Sequence, residues 1–259
     1  MSGRVAADIE YNNRKVFMPL SAKEILKHIE KGNIFIDPFV PENVKGASVD
    51  VRLGHFYFSQ IHNDGFRGIR NPWSLDAAQR VWLGPYDACC ATALADLLEN
   101  STDYPFADSN DDLIQELGLQ ESDKIIVIPA HKMILAHTEE FIGSNASFVG
   151  DLRGRSSVYR SALTVSSDGN WGDPAFFGRW SLKIENQTDD IVILPVGRRI
   201  AQIVFHEVQN GEAYATENGG GKYQTTEDHE RIKREWRPEM ILPRLHLDRE
   251  VRQAAIETS

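Results

Sequence analysis

Cysteine is almost absent from this chain: 259 residues hold only Cys89 and Cys90, side by side. Neighbouring cysteines bridge poorly and no third is present to pair with either. A disulfide framework is therefore excluded, and two small thiols in a reducing, cytoplasmic setting are expected. Long apolar runs are missing too. None approaches the roughly 18 residues of a membrane helix, so no span is expected. Residues 1–15 carry charge and lack an apolar stretch, which argues against a secretory signal. Positive charge is in deficit, with 28 Lys and Arg against 38 Asp and Glu, a net charge of −10. A general nucleic-acid binder presents a basic face, and none is legible. Neither a P-loop nor a Gly-x-Gly-x-x-Gly occurs.

What the chain does have is an order of elements. Residues 1–17 are polar and read as an arm. Ser21-Ala-Lys-Glu24 is a capping-box pattern. Ile25, Leu26 and Ile29 then share a helical face, and Gly32 ends the helix. An extended stretch at 34–37 follows, punctuated by Pro38 and Pro41. Residues 47–53 alternate, with Val49, Val51 and Leu53 on one side, as a half-buried strand requires. Gly54 interrupts the strand and 56–58 resume it. Residues 59–122 differ in character: they hold Trp73, Trp82, Pro72, Pro85 and Pro105, and helix-compatible stretches at 87–100 and 111–119. They read as an insertion.

From Lys124 the pattern is β, with short β-branched runs at 124–128, 132–136, 180–184, 191–194 and 200–205. Turn residues separate them, as in Thr188-Asp-Asp190 and Pro195-Val-Gly197. That spacing predicts a sandwich, jelly roll or barrel. Residues 229–259 are charged and helix-compatible, broken by Pro238 and Pro243. The expectation is a single mainly-β domain over 1–259, with an N-terminal helix, a partly helical insertion at 59–122 and a C-terminal extension at 229–259.

The densest chemistry is Gly150-Asp-Leu-Arg-Gly-Arg-Ser-Ser-Val-Tyr-Arg160. Arginine offers planar paired donors that fit phosphate oxygens, and serine hydroxyls add neutral ones. Gly154 lets the backbone approach a ligand. On these residues alone, a solvated basic turn and a phosphate site both remain open. Resemblance decides between them. Gly154-Arg-Ser-Ser157 with Arg160 resembles the phosphate-binding segment of the dCTP deaminase/dUTPase superfamily. Gly172-Asp-Pro-Ala-Phe-Phe-Gly178 is similar to its Asp-Pro-Gly-aromatic-x-Gly turn, at the deaminase spacing. Lys45-Gly-Ala-Ser-Val-Asp-Val-Arg-Leu-Gly54 resembles an early strand, while Asn186, Pro195-Val-Gly197 and Ile200-Ala-Gln202 continue the match. Gly221-Lys-Tyr-Gln224 resembles a closing C-terminal segment, and Gly219-Gly-Gly221 suits its mobility.

The resemblance implies a distorted jelly-roll or β-barrel of the dUTPase type, a homotrimer or dimer of trimers, and sites at subunit interfaces. It implies a pyrimidine deoxynucleoside triphosphate as partner, with Mg2+ bound through its phosphates. Arg155, Ser156, Ser157 and Gln202 would bind substrate, and Arg160 would sit beside the reacting centre. Asp173 would bind sugar or orient water, Phe176 would supply the aromatic of the turn, and Lys222 and Tyr223 would reach the phosphates.

One position breaks the pattern. Where the deaminases carry their catalytic glutamate, this chain has Lys183. A lysine titrating near 10.4 is cationic at neutral pH and accepts no proton. Glu185 lies on the same strand face but about 6–7 Å along it. The late glutamine of the tail is replaced by Thr226, and the Thr-Ala step before the turn by Asp168-Gly169. A zinc route is not indicated either. The paired signature His-x-Glu with Pro-Cys-x-x-Cys does not occur, and His131, His137 and His206 show no paired ligand spacing. The expected reaction is dUTPase-type pyrophosphohydrolysis. Deamination with Glu185 or a rearranged site supplying the base, and a silent nucleotide-binding regulator or structural subunit, are the alternatives.

Overall fold

The computed structural model describes residues 18–60, 69–99, 109–166, 169–215, 221–248 and 250. The arm at 1–17, Pro105, Asp168, Gly219, Gly220 and the end of the C-terminal extension lie outside the described residues. The helices are α1 (Ala22–Glu30), α2 (Leu75–Val81), α3 (Leu94–Glu99), α4 (Asn110–Glu116), α5 (Ser156–Arg160) and α6 (His229–Glu235). The first strands are β1 (Ile34–Asp37), β2 (Val44–Lys45), β3 (Ser48–Arg52), β4 (Phe56–Gln60), β5 (Trp82–Asp87), β6 (Cys89–Cys90) and β7 (Lys124–Ile128). The rest are β8 (Met133–Ser144), β9 (Phe148–Gly154), β10 (Leu163–Val165), β11 (Trp171–Gly172), β12 (Phe177–Asn186), β13 (Val192–Pro195) and β14 (Arg199–Glu207).

Among the described residues these strands form three sheets. One runs β10-β12-β8-β4-β5 with β1 also on β8, the second runs β11-β9-β14-β3-β2, and the third is β13-β7-β6. The two larger sheets share one core. Val49, Val51, Leu53, Ile134, Ile142, Leu152, Leu182, Ile184, Ile203 and Phe205 belong to a single buried cluster. Among the described residues both sheets keep free edges, so the mainly-β fold is an open sandwich there and does not close into a barrel. No described helix is long and apolar enough to cross a membrane.

Local chemistry explains the elements. Ser21 caps α1 by accepting from the Glu24 amide at 3.3 Å, and Gly32 closes the helix at φ +67°, a region open to glycine. In β3, Val49 and Val51 turn inward and their neighbours outward. The same alternation in β12 buries Trp180, Leu182 and Ile184. It leaves Arg179, Ser181, Lys183 and Glu185 as a polar stripe on the other face.

The insertion is more structured than a loop. β5 pairs with β4, and Cys89-Cys90 pairs with Ile125 and Lys124. The helical stretch expected from 87 therefore starts only at Ala91, as a 3-10 turn leading into α3, because strand pairing claims residues up to Cys90. Helices α3 and α4 bury Leu94, Leu98, Leu113 and Ile114 against Ile125 in a second core. The extension also packs: Ile241 joins Phe58 and Leu135 in a third cluster, with Trp236 and Leu242 against it.

Candidate functional site

The arginine–serine segment lines a cavity of about 530 Å³, together with Asp50, Thr164, Ser166 and Gln202. Strand β9 runs straight into α5 with Arg155 as the capping residue, so the arginine and both serines follow the end of the sheet directly. At Gly154 a Cβ would come within 3.0 Å of the Val165 carbonyl oxygen, so the close approach of β9 to β10 depends on that glycine. Asp50, from β3, accepts from Arg199 at 2.8 Å and faces Arg155 Nε at 3.4 Å. Arg155 also donates to the Arg199 carbonyl oxygen at 3.1 Å, which fixes its guanidinium at the cavity wall. Gln202 Oε1 accepts from Ser48 Oγ at 3.2 Å.

Lys183 is tied through its backbone to Ser166, which lines this cavity. Ser166, buried and at φ +44°, donates its amide to the Lys183 carbonyl at 2.8 Å and accepts the Lys183 amide on its Oγ at 3.2 Å. The Lys183 ammonium lies 3.8 Å from the Glu185 carboxylate. Both side chains are well exposed, so the pair adds little to stability.

Asp173, Phe176, Lys222 and Tyr223 line a different cavity, of about 480 Å³, with Arg179, Tyr214 and Trp236. Burial raises the Asp173 carboxyl above its usual range. Phe176 meets Trp180 and Tyr214 edge-on at 5.5 and 5.9 Å. The segment from Gly221 is docked onto the Asp-Pro turn by Gln224. Its Oε1 accepts from the Phe177 amide at 2.8 Å, and its Nε2 donates to the Ala175 carbonyl at 3.1 Å. A Cβ at Gly221 would fall 2.1 Å from the Tyr214 ring, so glycine lets the segment pass beneath it.

The extension grips the same segment. Asp248 forms an ion pair with Lys222, which raises the lysine pKa. The other Asp248 oxygen accepts from Trp73 Nε1 of the insertion at 3.2 Å. Arg244 donates its amide to the Tyr223 hydroxyl at 3.1 Å and its guanidinium to the Lys222 carbonyl at 2.6 Å.

One chain thus brings Arg155, Ser156, Ser157 and Gln202 together, and separately Asp173, Phe176, Lys222 and Tyr223. The two cavities share no lining residue. Arg160, exposed at the end of α5, Lys183 and Glu185 line neither. Sequence reasoning missed Asp50, Ser166, Arg179 and Trp236. Asp50 was legible as a polar residue of an alternating strand, whereas the others carry no local signal.

His137 is fully buried. Its Nδ1 is 2.8 Å from the Thr138 carbonyl oxygen, and its Nε2 accepts from the Phe56 amide at 3.2 Å. Burial pushes its pKa down to about 3, so it is a neutral core imidazole. Among the described residues no three His, Cys, Asp or Glu side chains gather into a metal site.

This arrangement, an arginine–serine cavity and a separate aromatic cavity with a carboxylate, sits on a scaffold with recognisable relatives. A family model described as dCTP deaminase-like matches residues 19–208, and the chain belongs to that family. A dUMP-forming dCTP deaminase of Methanobrevibacter smithii is 30% identical over 187 residues, covering 72% of this chain and 78% of the relative. A dCTP deaminase of Haloarcula marismortui is 26% identical over 211 residues, covering 80% and 90%. Among solved structures, the 2'-deoxycytidine 5'-triphosphate deaminase of Agrobacterium tumefaciens superposes with a TM-score of 0.48 at 14% identity. That superposition covers 74% of this chain and about half, 49%, of the other.

Proposed function

We propose that the chain is a cytoplasmic enzyme that hydrolyses a pyrimidine deoxynucleoside triphosphate to the monophosphate and diphosphate, in sites completed between copies of the chain. The dUMP-forming relatives carry a name whose product lacks both the amino group and two phosphates of dCTP. Their reaction therefore has a deaminating half and a phosphate-cleaving half. The observation that carries our reading is Lys183: at the place of the deaminating carboxylate stands a cation paired with Glu185, the nearest substitute. Loss of a general base costs about 10²–10⁴-fold, while phosphate cleavage does not use that position.

In this reading Arg155, Ser156 and Ser157 hold the phosphate oxygens and Gln202, lining the same cavity, binds substrate beside them. Asp173 accepts a proton from a water whose oxygen attacks the α-phosphorus, and the bond to the bridging oxygen breaks as diphosphate leaves. Burial brings Asp173 closer to neutral, which suits a base. Arg160 adds positive charge at the rim, and Phe176, Lys222 and Tyr223 close over the nucleotide. Magnesium would ride on the triphosphate oxygens, supplying charge neutralisation. Because the two residue sets line separate cavities of one chain, a homotrimer or dimer of trimers would join them.

The test is to incubate the protein with each deoxynucleoside triphosphate and magnesium, then measure ammonia and diphosphate. Diphosphate without ammonia is expected. Ammonia from dCTP would overturn the reading in favour of deamination. Binding without turnover would favour a silent regulator, the reading to which the Lys222–Asp248 pair lends support.

A further inference from the structure

Lys222 and Tyr223 are the residues assigned to reach the phosphates, yet four of their polar groups are engaged by their own chain. The Lys222 ammonium pairs with Asp248, and the Lys222 carbonyl accepts from the Arg244 guanidinium at 2.6 Å. The Tyr223 hydroxyl accepts from the Arg244 amide at 3.1 Å, and the Tyr223 amide donates to the Tyr214 hydroxyl at 3.3 Å. The Arg244 guanidinium carbon also lies 5.7 Å from the centre of the Tyr223 ring. Asp248 is itself held, because its second oxygen accepts from Trp73 Nε1 at 3.2 Å.

Lysine meets phosphate as a point charge. A carboxylate in contact with the ammonium cancels that charge for an approaching anion and adds repulsion of its own. The Lys222 and Asp248 side chains are 34% and 21% exposed, so solvent and salt screen the pair less than they would at an open surface. A triphosphate carries several negative charges against the single one of Asp248, and so can outcompete it for the ammonium. Arg244 and Asp248 lie beyond the 19–208 family match, which makes the contact a property of the extension and not of the shared scaffold.

We propose that Asp248 and Arg244 form an autoinhibitory contact: they mask Lys222 and Tyr223, and a triphosphate must take the ammonium from Asp248 before those residues serve the site. The inference rests on the proposed function, which assigns Lys222 and Tyr223 to the phosphates, and adds a regulation of that same site. The mask raises the triphosphate concentration at which the site fills. Trp73 supports it by holding the carboxylate in place.

The experiment is calorimetric binding of non-hydrolysable α,β-imido analogues of dUTP, dCTP and dTTP to the full chain with magnesium, comparing variants on the analogue that binds tightest. Asp248→Asn keeps an acceptor for Trp73 and removes the charge, and should bind about three- to tenfold more tightly than the natural sequence. Lys222→Met should weaken binding, and adding Asp248→Asn to it should bring no gain, because the mask then has no charge to cover. If Asp248→Asn does not fold, Arg244→Met, which frees the Lys222 carbonyl, should tighten binding in the same direction. Unchanged or weaker binding in the unmasked variant, or a gain that persists on the Lys222→Met background, overturns the inference and leaves the hydrolase reading intact. No binding of any analogue to any of these proteins overturns both.

Discussion

Lys183 shows how much one side chain can decide. It sits on a strand whose backbone is fixed by the buried Ser166 and whose neighbours are packed in the core. A change at this position therefore alters chemistry with little effect on fold. Lys183→Glu removes a surface pair worth about 0–1 kcal/mol and should raise ammonia release from dCTP by about a hundredfold or more over the parent's background, read in a coupled ammonia assay. His137 makes the opposite case. An unfolded-chain histidine titrates near 6.5, and the folded one only near 3. As pH falls, the unfolded chain takes up the proton first. The stability His137 contributes is thus complete above pH 6.5, declines by ~1.4 kcal/mol per pH unit below that, and levels off near pH 3. Urea unfolding between pH 7.5 and 4.5 should show this slope in the parent and a flatter one in His137→Gln.

Elements differ in how openly the chain announces them. Strands β3, β7, β13 and β14 are short alternating or β-branched runs bounded by turn residues, and periodicity finds them. Strands β9 and β10 escape it. β9 carries Gly150, Asp151 and Arg153 among its seven residues, and β10 has only three; both are strands because of their partners in the sheet. The extension escapes for a related reason. Its short α6 has no buried residue of its own, and its grip comes from Ile241, 7% exposed against Phe58 and Leu135. Ile241→Ala should destabilise the protein by about 2–4 kcal/mol, visible as an earlier urea midpoint. Gly54→Ala has a geometric cause instead: the new Cβ would meet the His137 ring at 2.1 Å. Overpacking there should cost ~1–3 kcal/mol in the same assay.

At the scale of the molecule, the sequence reading gathers the chemical parts into a site built at a subunit interface, and a single chain holds them in two cavities. The arginine–serine loop and the Asp-Pro turn are each legible as short contiguous runs of characteristic residue types. Their separation within one chain is not legible, since only the packing of two sheets sets it. A site shared between copies has a direct test. Arg155→Ala and Asp173→Asn should each lose about a hundredfold or more in diphosphate release. Unfolding the two variants together and refolding the mixture should recover activity, because some interfaces then pair two intact halves. Recovery no greater than either parent would place both halves' work within a single chain.

Asp248 has a consequence for how the chain can change. One of its oxygens takes the indole of Trp73 and the other the ammonium of Lys222, so the insertion and the segment from Gly221 are latched to one carboxylate of the extension. Trimming the 59–122 region would take the indole away from that carboxylate. Trimming the chain's end would strand an indole and loosen a lysine. The two embellishments can be gained or shed cheaply only as a pair, and anyone shortening this protein should cut both.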